Sequence, residues 1–179
     1  NGIGVNGLVM TDCDYNNCGD GQYEGCVKLR NLSGTSSITN CTFANAAEEL
    51  VEIINDASAA ALTLNVSGST FGDTFDKTFG AKGIFVTTAN TVTNNVTISN
   101  STFRRIKTQG VNLRASAGTM NANVVDCNFN KDTKRYMSGI EIIPQGTAVM
   151  NINLNRNTLN TAGGSSILVQ GAGTATYQA

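Results

Sequence analysis

The sequence contains no histidine, no tryptophan and a single proline, Pro144. Histidine is the commonest general base and a frequent metal ligand, so histidine triads and histidine zinc sites are excluded for this chain. Charge is also scarce. Asp, Glu, Lys and Arg make up 14% of the 179 residues, against roughly 25% in an average globular domain. Asn, Thr, Ser, Gly and Ala fill the gap, so the surface must be solvated by hydroxyls and amides. No apolar run approaches the roughly 20 residues of a membrane-spanning helix, and no secretory hydrophobic segment is found. The chain begins at Asn1 rather than methionine, and from that a removed leader or preceding domain is expected.

The charge that is present divides along the chain. Residues 1–76 hold ten acidic side chains against Lys28 and Arg30, a net of −8. Residues 77–179 hold ten basic side chains against Asp126, Asp132 and Glu141, a net of +7. The length suits one domain over residues 1–179 with enough chain for a continuous core. If that domain is elongated, it has a negative head and a positive tail.

One segment recurs six times: LVMTDCDY at 8–15, SSITNCTF at 36–43, LNVSGSTF at 64–71, VTISNSTF at 96–103, ANVVDCNF at 122–129 and INLNRNTL at 152–159. Its anchors are Tyr15, Phe43, Phe71, Phe103, Phe129 and Leu159, spaced by 28, 28, 32, 26 and 30 residues. Each anchor is followed after 8–13 residues by an apolar-x-apolar element: Val27–Leu29, Val51–Ile53, Ile84–Val86, Val111–Leu113, Ile140–Ile142 and Ile167–Val169. Glycine precedes several of these (Gly83, Gly110, Gly139).

Alternation over three to five residues marks short, half-buried strands. Such strands cannot bury their apolar side alone. Stacking each repeat on the last, at about 4.8 Å per rung, builds parallel sheets and a continuous core. The anchors then form an aromatic stack. Cys13, Cys41, Ser69, Ser101 and Cys127 share one repeat position, and Asp12, Asn40, Asn100 and Asp126 share a turn position. Asn and Asp suit turns because their side chains bond nearby backbone and tolerate left-handed φ. Length variation before Val27, Ile84 and Ile140 places loops on one edge. Residues 45–56 could be taken for an amphipathic helix, but Val51 and Ile53 fall in phase with Val111 and Leu113. A strand is expected, with room for a short helical turn at 46–50.

The fold expected is all-β: a right-handed parallel β-helix of about six coils of 26–32 residues with uncapped ends. The ITNCTF and ISNSTF segments, and the repeat they belong to across essentially the whole chain, resemble the right-handed parallel β-helix, or pectin-lyase-like, superfamily. That resemblance implies fold far more than function, because the fold hosts lyases, hydrolases, epimerases, phage tailspikes and adhesins. The last residues, GTATYQA, match the start of another coil, and GIGV near the start matches a closing strand. A free-standing solenoid needs polar caps, so an internal segment or an end-to-end stacking subunit is expected.

Arg105-Ile106-Lys107 resembles the substrate-binding Arg-Ile-Lys of polygalacturonases. The Asn-Thr-Asp, Asp-Asp and Gly-His-Gly elements of those enzymes do not occur in this chain. Glycoside hydrolysis needs two carboxyl groups at a defined separation, and the basic half offers few. No catalytic residue is therefore assigned. No cofactor is expected unless it is a structural calcium, to which Asp12, Asp14, Asn16, Asp20 and Glu24 could give oxygens; the alternative is a solvated acidic loop. Cys18 and Cys26 flank one loop and could close it as a disulfide in an oxidising compartment. Cys13 and Cys41 stack on adjacent rungs, and Cys127 is expected as a buried free thiol. No Cys-x-x-Cys pair suggests thiolate zinc. The five sequons, at Asn31, Asn40, Asn65, Asn95 and Asn100, arise largely from the repeat itself.

Arg104, Arg105, Lys107, Lys131, Lys134 and Arg135 follow the anchors of two consecutive rungs and should form one basic edge, with Tyr136, Phe75 and Phe79 nearby. Such an edge suits an anionic glycan, a phosphate or a partner protein. A pI near 5.3 and the lack of any nucleic-acid motif argue against nucleic acid. The function expected is a non-enzymatic, extracellular structural or adhesive solenoid: a surface filament, adhesin or phage tail-fibre segment that associates end to end. The alternatives are a polysaccharide-active enzyme of pectin-lyase type, as lyase or glycoside hydrolase, and a glycan-binding module.

Overall fold

The computed structural model describes residues 2–19, 21–22, 24–74, 82–130, 138–160, 164–171 and 176–178. These residues form strands and no helix. In chain order, the first coil contributes β1 (Gly2–Ile3), β2 (Val9–Thr11) and β3 (Asp14–Asn16). The second contributes β4 (Val27–Arg30), β5 (Gly34–Thr39) and β6 (Thr42–Ala44), and the third β7 (Val51–Asn55), β8 (Leu62–Ser67) and β9 (Thr70–Gly72). Then follow β10 (Ile84–Thr88), β11 (Thr93–Ser99) and β12 (Thr102–Arg104), and β13 (Gln109–Ala115), β14 (Thr119–Val125) and β15 (Asn128–Asn130). The chain closes with β16 (Ser138–Pro144), β17 (Val149–Asn155), β18 (Thr158–Asn160), β19 (Ile167–Val169) and β20 (Thr176–Gln178).

Every pairing between named strands is parallel and joins one coil to the next. The first sheet runs β1-β4-β7-β10-β13-β16-β19, the second β2-β5-β8-β11-β14-β17-β20, and the third carries β3 through β18. The result is a three-sided parallel β-solenoid. Six stacked anchors bound five steps, so the solenoid makes about five turns rather than six. The segments near both ends, Gly2–Ile3 and Thr176–Gln178, continue the first and second sheets.

The register follows the repeat. Val27, Val51, Ile84, Val111, Ile140 and Ile167 lie on one another in the first sheet. Phe43, Phe71, Phe103 and Phe129 are fully buried. Their rings, with Tyr15 at the head, stack face to face at centroid spacings of 5.4, 5.2, 5.0 and 4.7 Å. Leu159 pairs with Phe129 in the next rung. Val66, Ile98 and Val124 from the second sheet and Ile53, Val86, Leu113 and Ile142 from the first complete the core.

Two local features differ from the sequence reading. The turn expected at Asp12, Asn40, Asn100 and Asp126 is present, and the anchor beyond it lies on a strand of its own, in a third sheet. The recurring segment bends at a residue in the left-handed region: Asp12, Asn40, Asn100, Asp126 and Arg156 have φ between 48° and 55°, and Gly68 takes the same place. Each bend starts the third sheet. Residues 46–50 also make no helical turn. Their amides and carbonyls are used between rungs instead, with Leu50 N–H donating to Lys82 O at 2.9 Å and Leu50 O accepting from Val27 N–H at 3.0 Å.

Candidate functional site

At the bend between the second and third sheets the backbone turns away from the next rung, and side chains take over its pairing. Cys41 N–H donates to Ser69 Oγ at 3.1 Å, Ser69 N–H to Ser101 Oγ at 3.2 Å, and Cys127 N–H to Asn157 Oδ1 at 2.9 Å. Cys13 N–H and Ser101 N–H face the sulfurs of Cys41 and Cys127. The same side chains donate to the carbonyl two residues back: Ser69 Oγ to Ser67 O at 3.0 Å and Ser101 Oγ to Ser99 O at 2.8 Å. The position therefore requires a short side chain that both accepts and donates, and the sequence supplies Cys, Ser or Asn. Ser101→Ala should cost about 1–3 kcal/mol, because it leaves the buried Ser69 N–H without an acceptor. Denaturant unfolding of Ser101→Ala beside Ser101→Cys checks this, with the cysteine variant expected near wild type.

A second side-chain network lies at the corner between the first and second sheets. Asn90 and Asn94, both fully buried, bond each other, and Asn94 Oδ1 accepts from Leu62 N–H at 3.2 Å. Asn55 Nδ2 donates to Leu32 O at 2.7 Å.

The outer face of the first sheet carries the densest polar constellation among the described residues. Lys28, Glu52, Phe85, Asn112, Glu141 and Leu168 share one outward column, rung above rung. Glu52, Asn112 and Glu141 are nevertheless only 8%, 0% and 5% exposed. Lys28 Nζ meets Glu52 Oε2 at 2.7 Å, and Lys82 pairs with Glu49. Phe85 is flanked by two cations, Lys82 Nζ at 4.7 Å and Arg114 Cζ at 5.2 Å from the ring centroid. Arg114 Nε donates to Asn112 Oδ1 at 3.1 Å, Asn112 Nδ2 donates to Glu141 Oε2, and Gln170 Nε2 donates to Glu141 Oε1 at 2.9 Å. Glu52 and Glu141 stand three rungs apart, roughly 14 Å at the usual strand spacing. That exceeds the separations of about 5–9.5 Å used in glycoside hydrolysis. Alternation identifies these positions as outward, but nothing in the sequence signals their burial or the amide clamp on Glu141.

The basic edge divides. Arg104 Nη2 pairs with Asp73 Oδ2 at 3.2 Å and Arg105 Nε approaches Asp73 Oδ1 at 3.6 Å. Ile106 is a core residue at 1% exposure, and Lys107 N–H donates to Thr74 Oγ1 at 3.1 Å. The Arg-Ile-Lys segment is thus anchored to the preceding rung. Lys131, Lys134, Arg135 and Tyr136, with Phe75 and Phe79, lie outside the described residues.

The acidic loop does not converge among the described residues. Asp12 occupies the bend, Asp14 and Asn16 lie on β3, and Glu24 Oε2 accepts from Gly21 N–H at 2.9 Å. Asn16 Oδ1 is taken by Asn45 Nδ2 at 2.6 Å. No group of three or more Asp, Glu, Cys or His side chains able to hold a metal is found among the described residues; Asp20 lies outside them. Cys18 and Cys26 are bonded as a disulfide that closes this loop. Cys13, Cys41 and Cys127 are free thiols. Burial raises the Cys41 and Cys127 thiols above their ordinary range, opposed chiefly by the facing N–H groups of Cys13 and Ser101.

Two aspartates, the exposed Asp56 and the half-buried Asp126, tie rungs together and are held below the ordinary value of 3.8. Asp126 accepts both Nε and Nη2 of Arg156 at 2.7 Å. Asp56 is stabilised first by Ser58 Oγ and then by Asn31. A carboxyl depressed in the folded chain adds stability above its unfolded value, and that stability is lost as pH falls through the folded one. Thermal melts should therefore drop below about pH 3.8, and Asp126→Asn should show a smaller acid-dependent drop. No protein-family model matches the chain, and neither a curated protein nor a solved structure does.

Proposed function

We propose that this chain is a segment of an extracellular β-solenoid with a structural and adhesive role, as in a surface filament, an adhesin or a phage tail fibre, built on a pectin-lyase-like scaffold. One observation carries the reading: the outward polar side chains grip the next rung rather than converge on a point in solvent. Lys28–Glu52, Glu49–Lys82, Asp73–Arg104 and Asp126–Arg156 each span one rung. Asn95–Asn121–Asn151 and Asn123–Asn153 form amide ladders on the second sheet. An enzyme aims such groups at substrate; here they stiffen a rod. The Cys18–Cys26 disulfide supports an oxidising, extracellular setting.

Because each sheet stacks in chain order, the −8 and +7 halves of the sequence become opposite ends of the axis. The outer edge of the first coil leaves Ile3 79% and Val9 71% exposed. It opens on a cavity of about 650 Å³ lined by Val5, Leu8, Met10 and Leu29 among others. A further coil, from the same polypeptide or from another copy, fits that face. A head-to-tail contact does not close on itself and so builds filaments. Light scattering with negative-stain imaging tests this. Rods one solenoid wide that lengthen at low salt and shorten at high salt are expected, because salt screens exposed charge. A compact particle of one size at every salt concentration would sink end-to-end association.

Glu141, clamped by Gln170 and by an Asn112 that itself accepts from Arg114, favours polysaccharide cleavage as the second reading. Turnover of a polysaccharide that Glu141→Gln abolishes would replace the structural reading with that one. Binding of an acidic glycan without turnover, weakened by Arg104→Ala, would place display of a glycan site on the rod.

A further inference from the structure

We infer that Cys13 and Cys41 are a thiol pair that closes to a second disulfide, a covalent staple between the first coil and the second. The register sets them together. Asp14 lies against Thr42 and Tyr15 against Phe43, and Thr42 N–H donates to Cys13 O at 2.8 Å. Cys13 and Cys41, one residue earlier on each strand, therefore stand one rung apart. That spacing, roughly 4.8 Å, falls within the Cα separations of about 4.4–6.8 Å that disulfides bridge. The side chains also point the same way, since each thiol donates to the carbonyl two residues back at 3.3 Å, Thr11 O for Cys13 and Thr39 O for Cys41.

No other cysteine competes. Cys18 and Cys26 are already bonded to each other. Cys127 is three rungs beyond Cys41, with Ser69 and Ser101 between them in the bend ladder, roughly 14 Å away at strand spacing. The two thiols differ in access, which orders the chemistry. Cys13 is partly exposed and lines the open cavity of the first coil, whereas Cys41 is 1% exposed.

With a small disulfide such as oxidised glutathione as oxidant, the Cys13 thiolate attacks one glutathione sulfur. The S–S bond of glutathione breaks, and one glutathione thiolate leaves. Cys41 then gives its proton to solvent, and its thiolate attacks Cys13 Sγ, expelling the second glutathione thiolate. Two protein thiols are oxidised, and one glutathione disulfide is reduced to two thiols. The bond would tie the strand Val9–Thr11 of the first coil to Gly34–Thr39 of the second. A further coil seated on the open cavity of the first coil, as the proposed end-to-end association would place one, would cover Cys13, so the oxidation is run at high salt on the unassociated chain, where failure to join the cysteines is distinct from failure to form rods.

The test is to incubate the folded full chain with oxidised glutathione, unfold it, and count free thiols with intact mass and peptide mapping. Titratable thiols should fall from three (Cys13, Cys41 and Cys127) to one, with the mass lower by two hydrogens and the peptides holding Cys13 and Cys41 joined. Amide exchange of Val9–Thr11 should slow in the oxidised protein. Cys41→Ser should stop at a glutathione adduct on Cys13, and Cys13→Ser should leave Cys41 unmodified. Serine already occupies this ladder position at Ser69 and Ser101, so both variants keep the fold's hydrogen bonds. A wild-type chain that retains three thiols, or that keeps glutathione on Cys13 with Cys41 free, overturns the inference.

Discussion

Phe103→Ala should destabilise the solenoid by about 3–5 kcal/mol, the range for deleting a buried aromatic side chain. Phe103 is fully buried and stacked on both faces, with Phe71 at 5.0 Å and Phe129 at 4.7 Å. The loss has two parts, the transfer of the ring out of the core and the cavity left between two rings that cannot close on each other. Stacking adds about 0.5–1.5 kcal/mol beyond burial at each contact. Tyr15→Ala is the matched control, since Tyr15 is 37% exposed and stacks on one side; its cost should be well under half as large. Stability in a solenoid is a sum of coil and neighbour terms, so hydrogen exchange resolved by strand is the better readout. Protection should fall first in β9, β12 and β15 for Phe103→Ala. Equal effects of the two variants would mean that the aromatic column is not what couples the rungs.

Adding a single methyl group should do comparable damage at Gly83 or Gly110. A Cβ at Gly83 would sit 2.4 Å from Gly110 O and 2.8 Å from the Phe103 ring, and one at Gly110 would sit 2.9 Å from Gly139 O and 2.7 Å from the Phe129 ring. The obstructing atoms are the next rung's backbone and a ring fixed in a stack, so neither can yield without shifting a coil. Overpacking usually costs about 1–3 kcal/mol. With two rigid neighbours the upper end, about 3 kcal/mol, is expected for Gly110→Ala. Gly4→Ala meets no atom within 4 Å and carries only the penalty of its positive φ. Urea midpoints of the two variants would separate steric blockade from loss of backbone freedom: a Gly4→Ala loss as large as that of Gly110→Ala would count against blockade.

The glycines show what a sequence of this kind reveals. They are visible as residues preceding the apolar-x-apolar element, but the reason they recur lies across the rung, in atoms contributed some 20–30 residues later. The aromatic column was legible because its members recur at one place in a repeat, and stacking follows once the register is fixed. The first-sheet strands were legible from their apolar-x-apolar pattern. The third sheet was not, because strands such as Thr42–Ala44 and Thr70–Gly72 are three residues long and too short to show a period. They are fixed by the left-handed residue before them and by the anchor's place in the stack. The Cys/Ser position was visible as a column, but its work of accepting a neighbour's N–H depends on where the backbone bends. On the outer face, Glu52, Asn112 and Glu141 alternate with core residues, so the pattern places them outward. Their burial was not foreseeable, because alternation reports direction and not cover. Residues 46–50 have helix-compatible side chains, and pairing between rungs overrides that preference.

The bend ladder also gives the rod an arrow. Backbone pairing between parallel strands sends donors both ways across a rung. Between the second and fourth coils the ladder sends them one way, since the N–H of Cys41 reaches forward to Ser69 and that of Ser69 forward to Ser101, while the Ser69 and Ser101 hydroxyls donate within their own coils. A cut between the second and third coils, or between the third and fourth, therefore leaves one surface with an idle donor at the bend and the other with an idle acceptor. Two like surfaces brought together would oppose donor to donor or acceptor to acceptor, and only unlike surfaces restore the ladder. The direction of the chain is in this way written on these cross-sections, as a plug on one side and a socket on the other.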